Sequence, residues 1–318
     1  MKTAIIIPIY NQEKYLVEAM DALLAQTSPD WIAYCVNDGS TDASASILAD
    51  YAARDSRLVV ITQPNGGVSV ARNAGLEAAL ADPNVDTCCF SDPDDVVHPR
   101  LVEVARHFAA HCQGGEIVTW DFVSEPSVSA FLDRRIDVSA LQLDDTPPTH
   151  NIWDKIYPKD MLRDVRFLVG AKIAQDMAFS MELVHRRHPT FKHIPAALTY
   201  YRIVPSSTMH RSLPAEYYER MCFVLEYMFS LYKDAPNELD DFCRWHQIGF
   251  LKQFRKYLRR ALPEAREDAR HIFQEELRSL RHRGFLRLPR GGFSPLKDYC
   301  RFLLISAACG RRNQEGRR

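Results

Sequence analysis

The sequence predicts an α/β protein in which a mostly parallel sheet is covered by helices and is followed by a helical C-terminal region. Short apolar runs alternate with helical patterns over the first third of the 318 residues, and this alternation is typical of βαβ units. Beyond residue 213, apolar residues recur at helical spacing. The composition, which is 46% apolar with 13 Gly and 18 Pro, excludes disordered and collagen-like chains.

Four short apolar runs predict the strands of the sheet. They are Ala4–Ile9, Trp31–Val36, Leu58–Ile61 and Thr87–Phe90. Three helices are predicted between them by the repeats Tyr15/Ala19/Leu23, Ile47/Leu48/Tyr51 and Val70/Ala74/Ala78. Because the strands are apolar along their whole length, we expect both faces of the sheet to be covered. Ligands of such sheets bind at the carboxyl ends of the strands, so the loops that follow them are the candidate site.

Each of the four predicted strands ends in a polar, turn-forming loop. The loops are PIYN at 8–11, NDGSTD at 37–42, QPNGG at 63–67 and SDPDD at 91–95. Turn formation and helix capping account for any one such loop, whereas four at one edge predict a binding site. No Walker, dinucleotide-binding, H-E-x-x-H or G-x-S-x-G motif is present in the sequence.

The fourth loop contains three carboxylates within four residues, Asp92, Asp94 and Asp95. Carboxylates this close raise one another's pKa unless a cation lies between them. The loop therefore predicts a divalent metal, Mn²⁺ or Mg²⁺, bound by hard oxygen ligands. Because such ions usually complete their coordination with substrate phosphates, a nucleoside diphosphate is the expected ligand.

Taken together, these motifs resemble the family 2 glycosyltransferases with the GT-A fold. The resemblance covers about residues 3–210 and includes IIIPIYN at 5–11, NDGSTD at 37–42, NGGVSVARNAG at 65–75, DPDD at 92–95, WDKIY at 153–157, QDMAF at 175–179 and YYR at 200–202 with Ser207 and Thr208. It implies transfer of a sugar, with inversion, from a nucleotide donor that is usually a uridine diphosphate sugar. The acceptor would be a hydroxyl group of a glycan or a lipid-linked molecule.

The resemblance also implies roles for individual residues. The nucleotide-binding residues would be Pro8, Tyr10, Asn11, Asp38, Asn65, Arg72 and Asp92. Of these, Asp38 would accept the N3 proton of uracil, and Arg72 would flank the nucleoside and its phosphates. The metal ligands would be Asp92 and Asp94, with His210 as a further ligand; the alternative for His210 is an ordinary surface histidine.

Asp176 matches the catalytic base of the family, which removes the proton of the attacking hydroxyl. It follows Gln175, where the family more often has Glu. A helix cap is the alternative role for Asp176. Asp154 stands where the family more often has Asn, and its carboxylate either meets the acceptor or pairs with Lys155.

The predicted organisation is a catalytic domain over 1–213, with a donor half at 1–98 and an acceptor half at 99–213, and a helical, basic region over 214–318. Within the acceptor half, Ser124–Asp145 reads as an ordered insertion or a mobile loop near the acceptor groove. Acceptor specificity is expected there.

The net charge of −1 conceals two opposed regions. Residues 244–318 contain 19 basic and 7 acidic residues, whereas residues 1–243 contain 21 basic and 34 acidic residues. The basic stretch, with its interleaved bulky apolar residues, suits an anionic membrane surface, or alternatively packs on the acidic catalytic domain. No nucleic-acid partner is expected, because the stretch has no recognised reader motif.

The cysteine pattern and the first residues of the chain both indicate a cytoplasmic location. Eight cysteines without a C-x-x-C pair indicate reduced, mostly buried thiols. No signal sequence is apparent at the start of the chain. We therefore expect a cytoplasmic protein, peripheral at the inner face of the cell membrane, that acts in surface polysaccharide or lipo-oligosaccharide synthesis.

Two other functions are compatible with a nucleotide site at this edge. One is a non-catalytic nucleotide-sugar-binding protein, which would have the pocket without a working base. The other is a sugar nucleotidyltransferase, although PIYN stands where its Gly-rich phosphate loop would follow the first strand.

Overall fold

A computed structural model describes residues 1–112, 115–125, 127–147, 149–204 and 216–232, with a few isolated residues between 267 and 279. Contacts within the chain divide it into one unit of Met1–Gly170 with Gln175–Ile203 and a second of Ala171–Ala174 with residues from Val204 onward. The described residues do not include the boundary predicted at 213 or His210. They also exclude the basic stretch, 244–318, apart from the few isolated residues between 267 and 279. The division into donor and acceptor halves stays a prediction.

The first unit alternates strands and helices and then becomes irregular. Its elements are, in order, β1 (Lys2–Ile9), α1 (Glu13–Leu24), β2 (Trp31–Asp38), α2 (Ser44–Arg54), β3 (Leu58–Gln63), α3 (Val68–Ala81), β4 (Val85–Phe90), β5 (Val96–Val97), α4 (Leu101–Ala109), β6 (Glu116–Val123), α5 (Val128–Leu132), β7 (Asp144–Asp145), β8 (Lys155–Pro158), α6 (Gln175–Arg187) and β9 (Thr190–Tyr200). All four predicted strands and all three predicted helices are confirmed.

One sheet contains all nine strands, in the order β3-β2-β1-β4-β8-β6-β9-β5, with β7 paired to β9. The first four strands are parallel, as predicted. Beyond β4 the sheet is mixed, because β8 runs antiparallel to both of its neighbours while β6 and β9 are parallel. The α/β fold class is confirmed, and the mixed half reflects the loss of strand-helix alternation after β4.

Both faces of the sheet are covered, as the continuous apolar strands predict. In β1 the side chains of Ile5, Ile7 and Ile9 join a core with α1, α2 and α4. Ala4 and Ile6 point the other way, into a core with α3 and α6. This alternation follows from the period of two along a strand. Two helical layers therefore hold β1 so that its carboxyl end opens at the candidate site.

The Ser124–Asp145 segment is ordered in its described part. It contains α5, a short 3₁₀ turn at Val138–Ala140 and β7. Ser127 caps α5, because its Oγ accepts a hydrogen bond of 3.2 Å from the Ala130 amide. Phe131 anchors the segment in the core at 0% exposure. Of the two alternatives, the structure favours the ordered insertion.

The described part of the second unit contains a further helix, α7 (Glu216–Leu231). Met221, Cys222 and Leu225 are buried on it, as their spacing predicts. None of the helices in the described part of the chain combines the length and apolar character needed to cross a bilayer. Among the described cysteines, Cys35, Cys88 and Cys89 are buried and free, Cys112 is free and half-buried, and Cys222 is buried.

The close packing of α3 on the sheet predicts that Gly75→Ala destabilises the fold. A Cβ at position 75 would lie 2.6 Å from Cγ2 of Ile6 and 3.2 Å from Cγ2 of Val36. We expect overpacking of about 1–3 kcal/mol to exceed the gain of about 1 kcal/mol in helix propensity. Denaturant unfolding measures the change.

The matched variant is Ile6→Leu, which removes the Cγ2 methyl that the new Cβ would meet. In a double-mutant cycle, Ile6→Leu should recover part of the stability lost in Gly75→Ala. Purely additive effects, or an unchanged free energy of unfolding in Gly75→Ala, would contradict the close approach.

Candidate active site

The loops after β1 and β2 are joined by hydrogen bonds through Asn11. Its Oδ1 accepts a bond of 2.8 Å from the Thr41 amide, and its own amide donates to Ser40 Oγ at 3.1 Å. Asn11 adopts a positive φ of 52°, which Asn tolerates better than most residues. Pro8 is buried within β1, whereas the Tyr10 ring is 47% exposed. Of the three predicted nucleotide contacts in this loop, Tyr10 and Asn11 are exposed, and Tyr10 supplies an aromatic surface.

Asp38, at the end of β2, organises the loop after β3. Its carboxylate accepts hydrogen bonds from the amides of Gly66 at 2.9 Å and Gly67 at 2.8 Å, and from Gln63 Nε2 at 2.7 Å. Asn65 Nδ2 donates to the Asp38 carbonyl at 3.0 Å. The predicted nucleotide residues Asp38 and Asn65 thus lie together. The contact of Asp38 with uracil stays a prediction, for which Oδ2 has a second lone pair that can accept a hydrogen bond.

The acidic loop, residues 91–95, is held by Arg202 at the end of β9. The Arg202 amide donates to Asp95 Oδ1 at 2.9 Å, and Nε donates to the Asp94 carbonyl at 2.9 Å. The Arg202 guanidinium also pairs with Glu18 on α1. Asp95 is 3% exposed, and its Oδ2 is buried without a hydrogen-bond partner. Arg202 therefore holds the loop through the Asp95 carboxylate and the Asp94 carbonyl, while Oδ2 of Asp95 has no partner.

The charges of the acidic loop fit a divalent cation. Burial and the Asp92 charge raise the pKa of Asp94 to about 6. The same two causes, in that order, raise the pKa of Asp95 to about 9. Within the described residues no three or more His, Cys, Asp or Glu side chains are grouped so that they could hold a metal ion by themselves. Asp92 and Asp94 supply the hard oxygen atoms that Mn²⁺ and Mg²⁺ prefer, with phosphate oxygens expected to complete the set.

Arg72 on α3 links the acidic loop to the predicted base. Its Nη2 lies 2.7 Å from Asp92 Oδ1 and its Nη1 lies 2.6 Å from Asp176 Oδ1. The guanidinium is 3% exposed and stacks over the Phe167 ring at 5.3 Å. Asn73 hydrogen-bonds the backbone of Phe167 in both directions, at 2.8 and 2.9 Å. Sequence reasoning placed Arg72 near the nucleotide and missed this bridge, because 104 positions separate Arg72 from Asp176.

Asp176 lies in the first turn of α6. An N-cap residue precedes the first helical residue, so a position inside the helix argues against the capping alternative. Burial raises the pKa of Asp176, and the Arg72 guanidinium opposes that rise. The side chain is 30% exposed, so a ligand can reach it. A reachable carboxylate with a raised pKa is suited to accept a proton.

Asp154 pairs with Lys155, which decides between its two possible roles. Lys155 Nζ contacts the Asp154 carboxylate and lies 2.6 Å from Thr149 Oγ1. Lys155 is 1% exposed, and burial lowers its pKa. Asn151 Nδ2 donates to the second Asp154 oxygen at 3.3 Å. The pair therefore braces the segment that precedes β8.

Comparisons with known proteins identify the family of the chain. The profile of the family described as "Glycosyl transferase family 2" matches residues 4–185. The uncharacterized glycosyltransferase EpsJ of Bacillus subtilis is 28% identical over 86% of this chain and 88% of its own. The poly(ribitol-phosphate) beta-glucosyltransferase of Bacillus spizizenii is 28% identical over 70% of this chain, which spans only 36% of that protein.

A solved structure shares the fold. It is residues 1–349 of S. aureus TarS in complex with UDP-GlcNAc, which superposes with a TM-score of 0.60 at 20% identity over 87% of this chain and 81% of its own. At this identity the likeness concerns the fold, and it confirms the GT-A architecture.

The raised pKa of Asp95 predicts a pH-dependent gain in stability for Asp95→Asn, measured with a chelator present. Above pH 3.8 the unfolded chain loses the Asp95 proton, whereas the folded protein keeps it up to about pH 9. Wild-type stability therefore falls with pH by up to about 1.4 kcal/mol per unit. Because Asn is always neutral, the free energy of unfolding of the variant relative to wild type should rise from pH 5 to pH 8.

Urea unfolding at each pH measures this difference. The control is Asp133→Asn, which changes an exposed carboxyl and should give a difference that is independent of pH. A flat difference for Asp95→Asn as well would show that its carboxyl is ionised in the folded protein.

Proposed function

Because the chain belongs to glycosyl transferase family 2, we propose that it transfers a sugar from a uridine diphosphate donor, with inversion, to a hydroxyl group of a surface glycan or its lipid-linked precursor. The protein is a glycosyltransferase, and the proposal concerns its donor, acceptor, stereochemistry and metal. The observation that carries it is the Arg72 bridge, which places one guanidinium between Asp92 of the acidic loop and the carboxylate of Asp176.

The donor site is proposed at the carboxyl ends of β1 to β4. The exposed Tyr10 ring offers a stacking surface for the base, and Asp38 offers an acceptor for its imide N–H. TarS has been solved with UDP-GlcNAc and with UDP. Relatives named for teichoic acid synthesis, including the minor teichoic acid biosynthesis protein GgaB of Bacillus subtilis, support a cell-surface polymer as the acceptor.

Asp176 acts as the general base in the proposed reaction. As the acceptor oxygen forms its bond to the anomeric carbon, Asp176 takes the hydroxyl proton and the bond to the diphosphate breaks on the opposite face. One displacement of this kind inverts the configuration. Arg72 holds Asp176 in place and, through its second ion pair, fixes Asp92 relative to it.

Asp92 and Asp94 are the residues that would hold Mn²⁺ or Mg²⁺, with His210 as the further ligand that the family resemblance implies. When bound, the ion supplies positive charge that stabilises the departing diphosphate. The two alternatives raised from the sequence, a binding protein and a nucleotidyltransferase, leave the family membership and the placement of Asp176 unexplained.

We place the enzyme at the cytoplasmic face of the cell membrane, peripherally bound. The 19 basic residues among the last 75 support this location, as do the buried, free thiols of Cys35, Cys88 and Cys89. Anionic lipids attract such a basic stretch by about 1 kcal/mol per Lys or Arg near the surface.

The base assignment predicts that Asp176→Asn abolishes sugar transfer and keeps donor binding. The amide oxygen can still accept from Arg72, but the amide cannot take a proton. We expect the rate of UDP release from the preferred UDP-sugar to fall by about 10²- to 10⁴-fold. Stabilisation by UDP with Mn²⁺, measured as the shift in Tm, should be unchanged.

The matched control is Asp160→Asn, which neutralises a carboxyl whose side chain is 80% exposed. A decrease of less than tenfold in Asp176→Asn would remove Asp176 as the base. Absence of any Tm shift with UDP and Mn²⁺ in the wild-type protein would refute the proposed donor.

The membrane location predicts that the enzyme leaves washed membranes at high salt. At about 1 M salt the Debye length falls to about 3 Å, which screens attraction to anionic lipids. Immunoblots of membrane and soluble fractions measure the release. Recovery in the soluble fraction at low salt, or retention at high salt, would each contradict peripheral electrostatic binding.

A further inference from the structure

Three aromatic side chains form a cluster beside the acidic loop. The rings of Trp153 and Tyr201 are stacked, with centroids 5.5 Å apart and planes inclined by 14°. Phe122 meets them edge to face, at 4.8 Å from Trp153 and 6.0 Å from Tyr201. Trp153 is 8% exposed, whereas Phe122 is 45% exposed. The cluster is thus packed underneath and open to solvent at Phe122.

A break in strand register exposes this ring. Along β6, Ile117 to Trp120 are buried, and then Asp121 and Phe122 are both exposed, although successive strand residues normally alternate. The pairing of β6 with β9 shifts between Trp120 and Asp121 and again between Asp121 and Phe122. Such bulges re-aim side chains and are enriched next to active sites. The irregularity brings a carboxylate and an aromatic ring to the surface at adjacent positions.

Two short connections bind the cluster to the candidate active site. Tyr201 donates its amide to the Val123 carbonyl at 2.7 Å, and the next residue, Arg202, donates to Asp95 of the acidic loop. Burial, followed by the charges of the acidic-loop carboxylates, raises the pKa of Tyr201. Trp153 immediately precedes the Asp154–Lys155 pair. Tyr201 therefore lies beside the acidic loop, and the open Phe122 ring contacts Tyr201 on this side of the candidate active site.

The exposed Phe122 ring and the neighbouring Asp121 carboxylate favour binding of a neutral sugar ring. An aromatic face is electronegative and attracts the weakly positive C–H edge of a pyranose. The Asp121 side chain, 55% exposed and 3.2 Å from His193 Nε2, can accept hydrogen bonds from sugar hydroxyls. The Asp121 carboxylate adjoins Phe122 in the chain, and its negative charge disfavours a phosphate group on this surface.

We propose that Phe122, supported by Trp153 and Tyr201 and flanked by Asp121, is a binding platform for a neutral pyranose ring of the acceptor. This inference rests on the proposed function and adds to it the class of acceptor group that lies next to the reacting hydroxyl. It assigns acceptor recognition to the β6–β9 bulge, in addition to the Ser124–Asp145 segment.

Saturation-transfer NMR tests the platform with the full-length protein and saturating UDP. The probes are the methyl β-glycosides of glucose, galactose and N-acetylglucosamine. Phe122→Leu keeps apolar volume and removes the ring, Phe122→Tyr restores a ring, and Val17→Ala removes an exposed apolar side chain on α1. We expect transfer to the pyranose C–H protons of at least one glycoside in wild type, Val17→Ala and Phe122→Tyr, and a decrease of at least fivefold in Phe122→Leu.

A cooperative urea-unfolding transition establishes that each variant is folded, whether or not UDP binds. Equal saturation transfer in Phe122→Leu and wild type would overturn the platform, as would its absence from wild type with all three glycosides. These outcomes differ from failure of the proposed donor, which appears as the lack of UDP stabilisation and leaves the dependence of glycoside binding on Phe122 measurable.

Discussion

The double ion pair of Arg72 connects the parts of this active site. A guanidinium that is 3% exposed requires compensating charge, since an unpaired buried cation costs several kcal/mol. Asp92 and Asp176 provide that charge from the exit of β4 and the first turn of α6. Neither carboxylate can move away without leaving Arg72 undercompensated. The distance between Asp92 and the proposed base Asp176 is thus determined by electrostatics as well as by the packing of the helices.

The remaining loops are held by a different device, in which side chains bind the backbone of a neighbouring loop. The Asn11 side chain accepts a hydrogen bond from the Thr41 amide, and the Asp38 carboxylate accepts hydrogen bonds from the amides of Gly66 and Gly67. Such bonds satisfy backbone donors that turns leave unpaired. Residues that are predicted to bind the nucleotide, such as Asn11 and Asp38, therefore also hold neighbouring loops in place. A donor entering this edge meets loops that are arranged in advance, which reduces the entropy lost on binding.

The sequence predicts features that depend on residues close together in the chain better than features that depend on residues far apart in it. Local periodicity predicts strands β1 to β4 and helices α1 to α3. Three carboxylates within four residues predict the acidic loop. The mixed half of the sheet does not follow, because β8 has four residues and begins with the buried cation Lys155, which no hydrophobic pattern reveals. The Arg72 bridge is invisible for another reason, since the pairing of Arg72 and Asp176 depends on how α3 and α6 pack. The family resemblance supplied the role of Asp176, but not its partner.

The bulge between β6 and β9 has a consequence for how such an enzyme diversifies. At positions 121 and 122 the regular ladder is already interrupted and both side chains are exposed. Substitutions there change the contacts of Asp121 with His193 and of Phe122 with Trp153 and Tyr201 without removing a buried side chain. The donor edge has no comparable freedom, because Asp38, Arg72 and Asp92 each hold other parts of the site. Descendants of this chain can therefore change the exposed side chains at 121 and 122 by single substitutions while Asp38, Arg72 and Asp92 remain constant.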